Sequence, residues 1–187
     1  MNHFDLLARY YDRVFGPRGP RRLIELLWAR PGMTVLDIGG GTGRVSQSLA
    51  GTNLVVVCDS SWGMVGEARR KGLNACLAEA EHLPFPDGAF ERALVVDALH
   101  HMGDQGRAMA EALRLLAPGG RLVLEEPDLR LFAVRLIALA ERFLRMRSRM
   151  LGERDLLDLL RPLCLTVGVP ERGGGVVRVV VEREAQR

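Results

Sequence analysis

The most constraining feature of the sequence is a short β-prone run that passes directly into a glycine-rich turn. Residues 34–38 read TVLDI, and residues 39–43 read GGGTG. Glycines after a strand let the backbone turn sharply and approach a ligand more closely than a side chain would permit. The pattern predicts a strand, a ligand-binding turn and a helix, although a glycine-rich turn by itself can also be no more than a tight turn.

Beyond this turn, short β-prone runs alternate with amphipathic helical segments. Periodicity predicts strands at 34–38, 54–58, 73–78, 92–96 and 121–124. Helices are predicted at 4–15, 19–29, from the glycine turn to Leu49, and at 61–71, 104–117, 129–151 and 153–161. Two last strands, 163–169 and 176–183, predict an antiparallel hairpin. The alternation predicts an α/β fold with a mostly parallel sheet that is covered by helices on both faces.

Composition places the chain among ordinary globular proteins. It has 187 residues, a net charge of +3, 48% hydrophobic and 26% charged residues, which predict one folded domain. No apolar run approaches the length of a membrane-spanning helix, and the first residues carry charges where a signal peptide is apolar. The three cysteines lie far apart, so neither a disulfide framework nor a metal site is indicated. We therefore expect a cytoplasmic location.

An acidic residue follows the second predicted strand. Asp59 lies 16 residues after Gly43, where a carboxylate can accept hydrogen bonds from both hydroxyls of a ribose. Its alternative role is to cap the next helix, a task that Ser60 or Ser61 could share. The glycines follow a GxGxG spacing, and Arg44 stands where a dinucleotide fingerprint would place its third glycine. The spacing therefore disfavours a dinucleotide as the ligand.

Several further segments occur in a fixed order around this turn. They are VLDIGGGTG at 35–43, CDSSWGM at 58–64, EAEHLPF at 79–85, DALHHM at 97–102, LAPGGRL at 116–122, and near the start FD at 4–5 and YDRVF at 11–15. Together they resemble the class I S-adenosylmethionine-dependent methyltransferases, in the small-molecule group that includes the ubiquinone and menaquinone biosynthesis enzymes. The resemblance covers residues 4–127 and implies a Rossmann-like, doubly wound sheet of seven strands in the order 3-2-1-4-5-7-6.

The resemblance also implies which residues bind S-adenosylmethionine and its product S-adenosylhomocysteine. Asp59 would bind the ribose, Tyr11 the cofactor carboxylate, and Glu79 the adenine amino group, with Glu79 in place of the commoner Asp. The full set of expected cofactor-binding residues is Tyr11, Asp37, Gly39, Gly40, Gly41, Thr42, Gly43, Asp59, Ser60, Met64, Glu79, Ala80, Glu81, Asp97 and Ala98. Leu83 and Phe85 either line the adenine pocket or belong to the core.

We expect methyl transfer to a small, apolar acceptor by in-line displacement, which requires mainly that donor and acceptor are aligned. His100 and His101 follow the fourth strand and are the candidates for a general base, although each could instead pack or bind the backbone. The alternative function is a regulatory or binding module that holds the cofactor without catalysis. No nucleic acid is expected as a partner, because the segment after strand four lacks a nucleic-acid methyltransferase motif.

The chain is expected to form a single methyltransferase domain in four parts. Residues 1–30 would form helices over the cofactor, 31–127 the cofactor-binding core, 128–161 a helical lid and 162–187 the C-terminal hairpin. Arginines in the lid would allow 128–151 to contact an anionic membrane surface, but a solvated outer face is the favoured interpretation. The sequence leaves open a monomer or a homodimer.

Overall fold

One twisted sheet runs through the computed structural model, which describes residues 20–131, 149–163 and 166–184. Its strands are β1 (Thr34–Ile38), β2 (Leu54–Asp59), β3 (Asn74–Leu77), β4 (Phe90–Val96), β5 (Leu116–Pro127), β6 (Thr166–Val167), β7 (Glu171–Gly173) and β8 (Val176–Glu182). The described helices are α1 (Arg21–Leu27), α2 (Trp62–Arg70), α3 (Gln105–Leu115) and α4 (Glu153–Leu160).

The sheet has the order β3-β2-β1-β4-β5-β8-β6, with β7 also paired to β8. Strands β1 to β5 pair in parallel, whereas β8 is antiparallel to β5. This confirms the expected Rossmann-like order, with β8 as the seventh predicted strand. The strand order reverses between β1 and β4, and ligands of such sheets bind beyond the carboxyl ends of the strands at that reversal.

Hydrophobic side chains cover both faces of the sheet. Alternate residues of β1 point to opposite sides, so that Leu36 joins a core with α3 and α4, whereas Val35 joins a second core with α1. A smaller cluster lies beneath α2. Burial on both faces explains why the central strands read as continuous apolar runs, and it confirms the predicted helices on both sides.

The helix expected after the glycine turn is reduced to a single 3-10 turn, Ser46–Ser48. Gly41 and Gly43 both adopt a positive φ, 57° and 72°, which is incompatible with a right-handed helix. Only a few residues therefore remain before the chain turns again towards β2. So short a segment forms too few hydrogen bonds to offset the unfavourable nucleation of an α-helix.

The largest differences from the predicted strands lie in β5 and in the C-terminal hairpin. Strand β5 begins at Leu116 rather than at 121, because Leu116 pairs with Phe90 before a register shift near the Gly119–Gly120 segment. Of the strand expected at 163–169, the structure describes Thr166–Val167 as β6, whereas β7 (Glu171–Gly173) lies within the predicted turn; both pair with β8. The hairpin between β7 and β8 turns through Gly174 and Gly175, both with positive φ, the conformation that a two-residue type I′ turn requires.

The predicted helix 4–15 and most of the predicted helix 129–151 lie outside the described residues, and so does the expected role of Tyr11. No helix in the described parts of the chain is long and apolar enough to cross a membrane.

Candidate active site

The glycine turn is wedged between the ends of β2 and β4. The amides of Gly39 and Gly40 donate hydrogen bonds to the carbonyl of Cys58, at 2.8 and 3.2 Å. A Cβ atom on Gly39, whose φ is +67°, would lie 2.6 Å from the Cβ of Ala98. The absence of a side chain at Gly39 thus allows the turn to reach the strand-four exit, where the parallel strands end.

Asp37 lies beneath this turn and is only 1% exposed. The Ser46 hydroxyl donates a 2.6 Å hydrogen bond to its Oδ2 atom, whereas Oδ1 has no hydrogen-bond partner among the described residues. Burial raises the pKa of Asp37 to about 6, and the nearby charge of Asp59 acts in the same direction. The hydrogen bond from Ser46 lowers this pKa, but its effect is smaller than that of burial. A buried oxygen without a partner is unusual and suggests a binding function.

A cleft of about 40 Å³ opens beside Asp37. Its lining includes the glycine turn, Arg44, Val96 and Asp97. The buried Nη1 atom of Arg44 has no hydrogen-bond partner within the described parts of the chain. The lining of the cleft therefore includes a carboxylate oxygen and a guanidinium nitrogen without partners among the described residues, the two kinds of group that a zwitterionic amino-acid group needs.

Asp59, at the end of β2, holds the glycine turn from the other side. Its Oδ2 atom accepts a 3.0 Å hydrogen bond from the amide of Gly41, and its Oδ1 atom a 2.8 Å bond from the amide of Ser61. The N-cap of α2 is Ser61, whose hydroxyl accepts from the amide of Met64 at 3.2 Å. The capping task therefore falls to Ser61, one of the two serines that the sequence offered for it, and not to Asp59 itself. A carboxylate oxygen can accept more than one hydrogen bond, so binding to a ribose is compatible with these two contacts.

Two neighbours of Asp59 differ in their exposure. Ser60 is exposed, whereas Met64 is buried with its sulfur 3.7 Å from the position of a Cβ on Gly41. Thr42 is buried, and its carbonyl accepts a 2.9 Å hydrogen bond from the Lys71 ammonium. The structure thus brings Asp37, Gly39 to Gly43, Asp59, Ser60 and Met64 together in one loop cluster.

The loop after β3 carries the remaining residues of the expected site. Glu79 is exposed and Ala80 partly buried, whereas Glu81 accepts a 2.9 Å hydrogen bond from the amide of Asp104. The Glu81 carboxylate therefore contacts the start of α3. Leu83 is buried in the core, and its amide donates to Glu111 at 2.9 Å.

Phe85, the last residue of this motif, is also a core residue. Its ring meets that of Phe90 edge to face, with 5.1 Å between centroids. The Arg114 guanidinium donates to the Phe85 carbonyl at 3.0 Å. Helix α3 thus holds the loop through Glu111 and Arg114, two residues that the sequence analysis did not single out.

The chain leaves β4 through a strained residue. Asp97 has a φ of +54°, which costs energy for a residue with a side chain. Its amide donates a 2.8 Å hydrogen bond to the carbonyl of Glu125 on β5. This contact directs the following residue, Ala98, against the glycine turn. Backbone strain of this kind is concentrated at functional sites.

The two candidate bases have different environments. His100 is buried, and its Nδ1 atom lies 2.6 Å from Oε2 of the buried Glu126. His101 is half-buried, with its ring centroid 4.0 Å from that of His100. Burial, and to a lesser extent the proximity of His100, lowers the pKa of His101 to about 3. His101 is thus neutral and a weak base, whereas His100 is held by a carboxylate.

Glu126 is the functional candidate that the sequence analysis missed. It follows Glu125 directly at the end of β5, and a pair of acids in an otherwise apolar strand was the available signal. Each acid pairs with a basic side chain: Glu125 lies 2.6 Å from Arg178, and Glu126 contacts His100. These pairs depend on which strands become neighbours. That information was not available from a local pattern.

Comparison with known proteins supports the same interpretation. Residues 36–124 match the family described as Methyltransferase domain. The chain is 39% identical over 125 residues to a demethylmenaquinone methyltransferase of Beutenbergia cavernae, covering 65% of this chain and 50% of that protein. It is 37% identical over 118 residues to a ubiquinone/menaquinone biosynthesis C-methyltransferase of Shewanella halifaxensis, covering 57% and 47%. The chain thus spans about half the length of these curated relatives.

Solved structures share the fold over nearly the whole chain. An S-adenosylmethionine-dependent methyltransferase of Thermotoga maritima superimposes with a TM-score of 0.79 at 25% identity, covering 97% of this chain and 98% of that one. A Haloferax volcanii methyltransferase, from a complex with its Trm112 activator, gives a TM-score of 0.85 at 18% identity, covering 98% and 99%. The second likeness concerns the fold alone.

The residues at the strand edge fit the chemistry of S-adenosylmethionine. The unused atoms of Asp37 and Arg44 match the ammonium and carboxylate of its amino-acid end, and Asp59 offers acceptors for a ribose. The glycine turn leaves room that a Cβ atom would fill. Residues 36–124 are thus similar in sequence to a methyltransferase domain, the chain shares the fold of solved methyltransferases, and the geometry of this edge fits S-adenosylmethionine.

Proposed function

We propose that this protein transfers a methyl group from S-adenosylmethionine to a ring carbon of a small, apolar acceptor of the quinol type. The observation that carries the proposal is the convergence of three segments at the point where the strand order reverses. The glycine turn, the carboxylate of Asp59 and the strained exit at Asp97 meet there. The quinol class follows from the names of the relatives that match the same residues.

In this proposal Asp37 and Arg44 would hold the amino-acid end of the cofactor. The buried Asp37 oxygen would accept hydrogen bonds from the ammonium group, and Arg44 would donate to the carboxylate. Asp59 would accept from the ribose hydroxyls while it retains its bonds to the glycine turn. Glu79 is exposed beyond β3, where it would meet the adenine amino group.

The cofactor, when bound, supplies a methyl group that is already activated by the positive charge on sulfur. The protein has mainly to orient the acceptor and exclude water, effects that in favourable cases supply about 7–11 kcal/mol. Methylation of a ring carbon also breaks a C–H bond, so that a proton must leave. His100 is the better candidate for a base, because the low pKa of His101 leaves it little affinity for a proton.

Calorimetric titration with S-adenosylhomocysteine tests the cofactor site first. We expect Asp59→Ala to weaken binding by at least about tenfold, since charge-assisted hydrogen bonds contribute about 1.5–3 kcal/mol each. Asp158→Ala is a matched control, because Asp158 is an exposed acid on α4 that pairs with Arg161. Unchanged affinity in Asp59→Ala would remove this residue from the ribose contact.

Transfer of a labelled methyl group from S-adenosylmethionine to reduced demethylmenaquinone tests the acceptor. Parallel reactions with phenols and amines separate C-methylation from O- and N-methylation. Transfer to a carbon of the quinol is the expected result. Tight cofactor binding without transfer to any acceptor would contradict the proposal and would favour the non-catalytic binding module.

A further inference from the structure

We propose that Glu126 is a positioning residue of the methyl-transfer site, which sets the tautomer of His100 and holds residues 98–100 against the glycine turn. The inference rests on the proposed function, since it concerns the same site. Glu126 lies outside the motifs that resemble the methyltransferases, and it is only 2% exposed. A buried carboxylate is costly unless its oxygens are used, so its contacts should indicate why it is there.

Both oxygens of Glu126 contact one short segment. Oε1 accepts hydrogen bonds from the amides of Ala98 and Leu99, at 3.1 and 2.8 Å. Oε2 lies 2.6 Å from Nδ1 of His100. One side chain of β5 thus binds three successive residues of the β4 exit, which otherwise leaves the sheet through the strained Asp97. Its role is therefore to fix the path of this exit.

The same contact determines which nitrogen of His100 carries the proton. Two amides donate to Oε1 of Glu126, so the carboxylate acts as an acceptor there. If Oε2 is an acceptor as well, the Nδ1 atom of His100 must carry the proton and donate it to Oε2. In a neutral imidazole the Nε2 atom is then the basic nitrogen. A carboxylate that orients a histidine in this way improves its function as a base without itself contacting the substrate.

The segment held by Glu126 is connected to other parts of the site. Ala98 lies where a Cβ on Gly39 would collide with it, so a shift of Ala98 changes the room beside the glycine turn. The carbonyl of His100 accepts a 2.7 Å hydrogen bond from the amide of Arg149. Gln105 donates to the carbonyls of Leu99 and Arg149, at 3.1 and 2.7 Å. Glu126 is thus placed to align the glycine turn with the backbone at Arg149.

Glu126→Gln separates the two parts of this role. The amide oxygen of glutamine can still accept from Ala98 and Leu99, whereas its NH₂ group would face Nδ1 of His100 and favour the tautomer protonated at Nε2. Glu125→Gln is the matched control, because Glu125 is the adjacent buried acid and pairs instead with Arg178. Nitrogen-15 NMR of the imidazole rings measures the tautomer directly and needs neither cofactor nor acceptor.

We expect His100 to be protonated at Nδ1 in the unsubstituted protein and in Glu125→Gln, and at Nε2 in Glu126→Gln. Affinity for S-adenosylhomocysteine should change by less than about threefold, whereas kcat should fall by at least about a hundredfold, since a wrong tautomer disables a base. Glu126→Gln should add little to the loss already caused by His100→Asn. A loss of kcat without loss of cofactor binding is not expected of a purely structural residue.

Two results would overturn the proposal. The first is an Nε2–H tautomer of His100 in the unsubstituted protein, which is measurable even where Glu126→Gln does not fold. The second is a Glu126→Gln protein that retains its kcat. Absence of methyl transfer by the unsubstituted protein is a different outcome: it contradicts the proposed function and leaves the tautomer measurement to decide the role of Glu126.

Discussion

Asp37 and Glu126 are two acids in similar positions with opposite environments. Both lie at the carboxyl edge of the sheet, on β1 and β5, and both are nearly fully buried, with 1% and 2% exposure. Glu126 is in contact with two backbone amides and an imidazole. Asp37 receives one hydroxyl hydrogen bond, and its second oxygen has no partner in the described parts of the chain.

This difference distinguishes a positioning acid from a binding acid. A buried carboxylate with all its hydrogen bonds made stabilises the fold and orients what it contacts. A buried carboxylate with an unused oxygen destabilises the fold by itself, and the cost is recovered when a ligand donates to it. We therefore expect substitutions at Glu126 to affect stability most, and substitutions around Asp37 to affect ligand binding most.

The largest expected effect is the loss of stability in Glu126→Ala. The change leaves two buried amides and an imidazole without their acceptor, and removal of one partner from a buried pair costs about 3–5 kcal/mol. Asp37→Ala should reduce the free energy of unfolding much less. The variant loses one hydrogen bond, but it also loses a poorly solvated charge, and the two effects on stability oppose each other. Urea denaturation of both variants measures the difference. Equal losses of stability would contradict the comparison.

The second effect concerns pH. Because the folded-state pKa of Asp37, about 6, lies above its ordinary value of 3.8, the folded protein binds the proton more tightly than the unfolded chain. The contribution of Asp37 to the free energy of unfolding therefore rises as pH falls from about 6 to 4, by up to about 3 kcal/mol. Asp37→Asn lacks this contribution, so it should be more stable than the unsubstituted protein at pH 7, with the advantage lost near pH 4.

His101 acts in the opposite direction over part of the same range. Its folded-state pKa is lowered from 6.5 to about 3, so the unfolded chain binds the proton more tightly and stability decreases as pH falls below about 6.5. The unsubstituted protein and Asp37→Asn both contain His101, so its effect cancels when their free energies of unfolding are subtracted. Urea denaturation at several pH values gives the two curves, and parallel curves would show that Asp37 does not titrate in this range.

The smallest expected effect is on binding in Arg44→Gln. The variant should bind S-adenosylhomocysteine about tenfold more weakly, because a charge-assisted hydrogen bond to the carboxylate is lost. Methylthioadenosine lacks the amino-acid group, so its affinity should not change in Arg44→Gln, whereas it should decrease in Asp59→Ala. Calorimetry with both ligands separates the two ends of the site. An equal loss for both ligands would place Arg44 away from the amino-acid end.

Much of the fold was predictable because it depends on local patterns. Continuous apolar strands, amphipathic helices and glycine turns are encoded within a few residues, and their alternation indicated a parallel sheet. The strand order followed from the resemblance. The exceptions, the 3-10 turn at Ser46–Ser48 and the early start of β5, arise where φ at glycines and pairing with a distant strand override local preference.

The site was predictable as a set of residues but not as a set of contacts. The sequence by itself determined the glycine turn, the acid after β2 and the histidines after β4, because each follows the end of a strand that its own neighbours specify. Only the tertiary structure decided that Glu81 binds the start of α3, that one oxygen of Asp37 has no partner among the described residues and that Glu126 holds His100. Hydrogen bonds between residues distant in sequence depend on which strands lie side by side, and burial decides how strongly each of them acts.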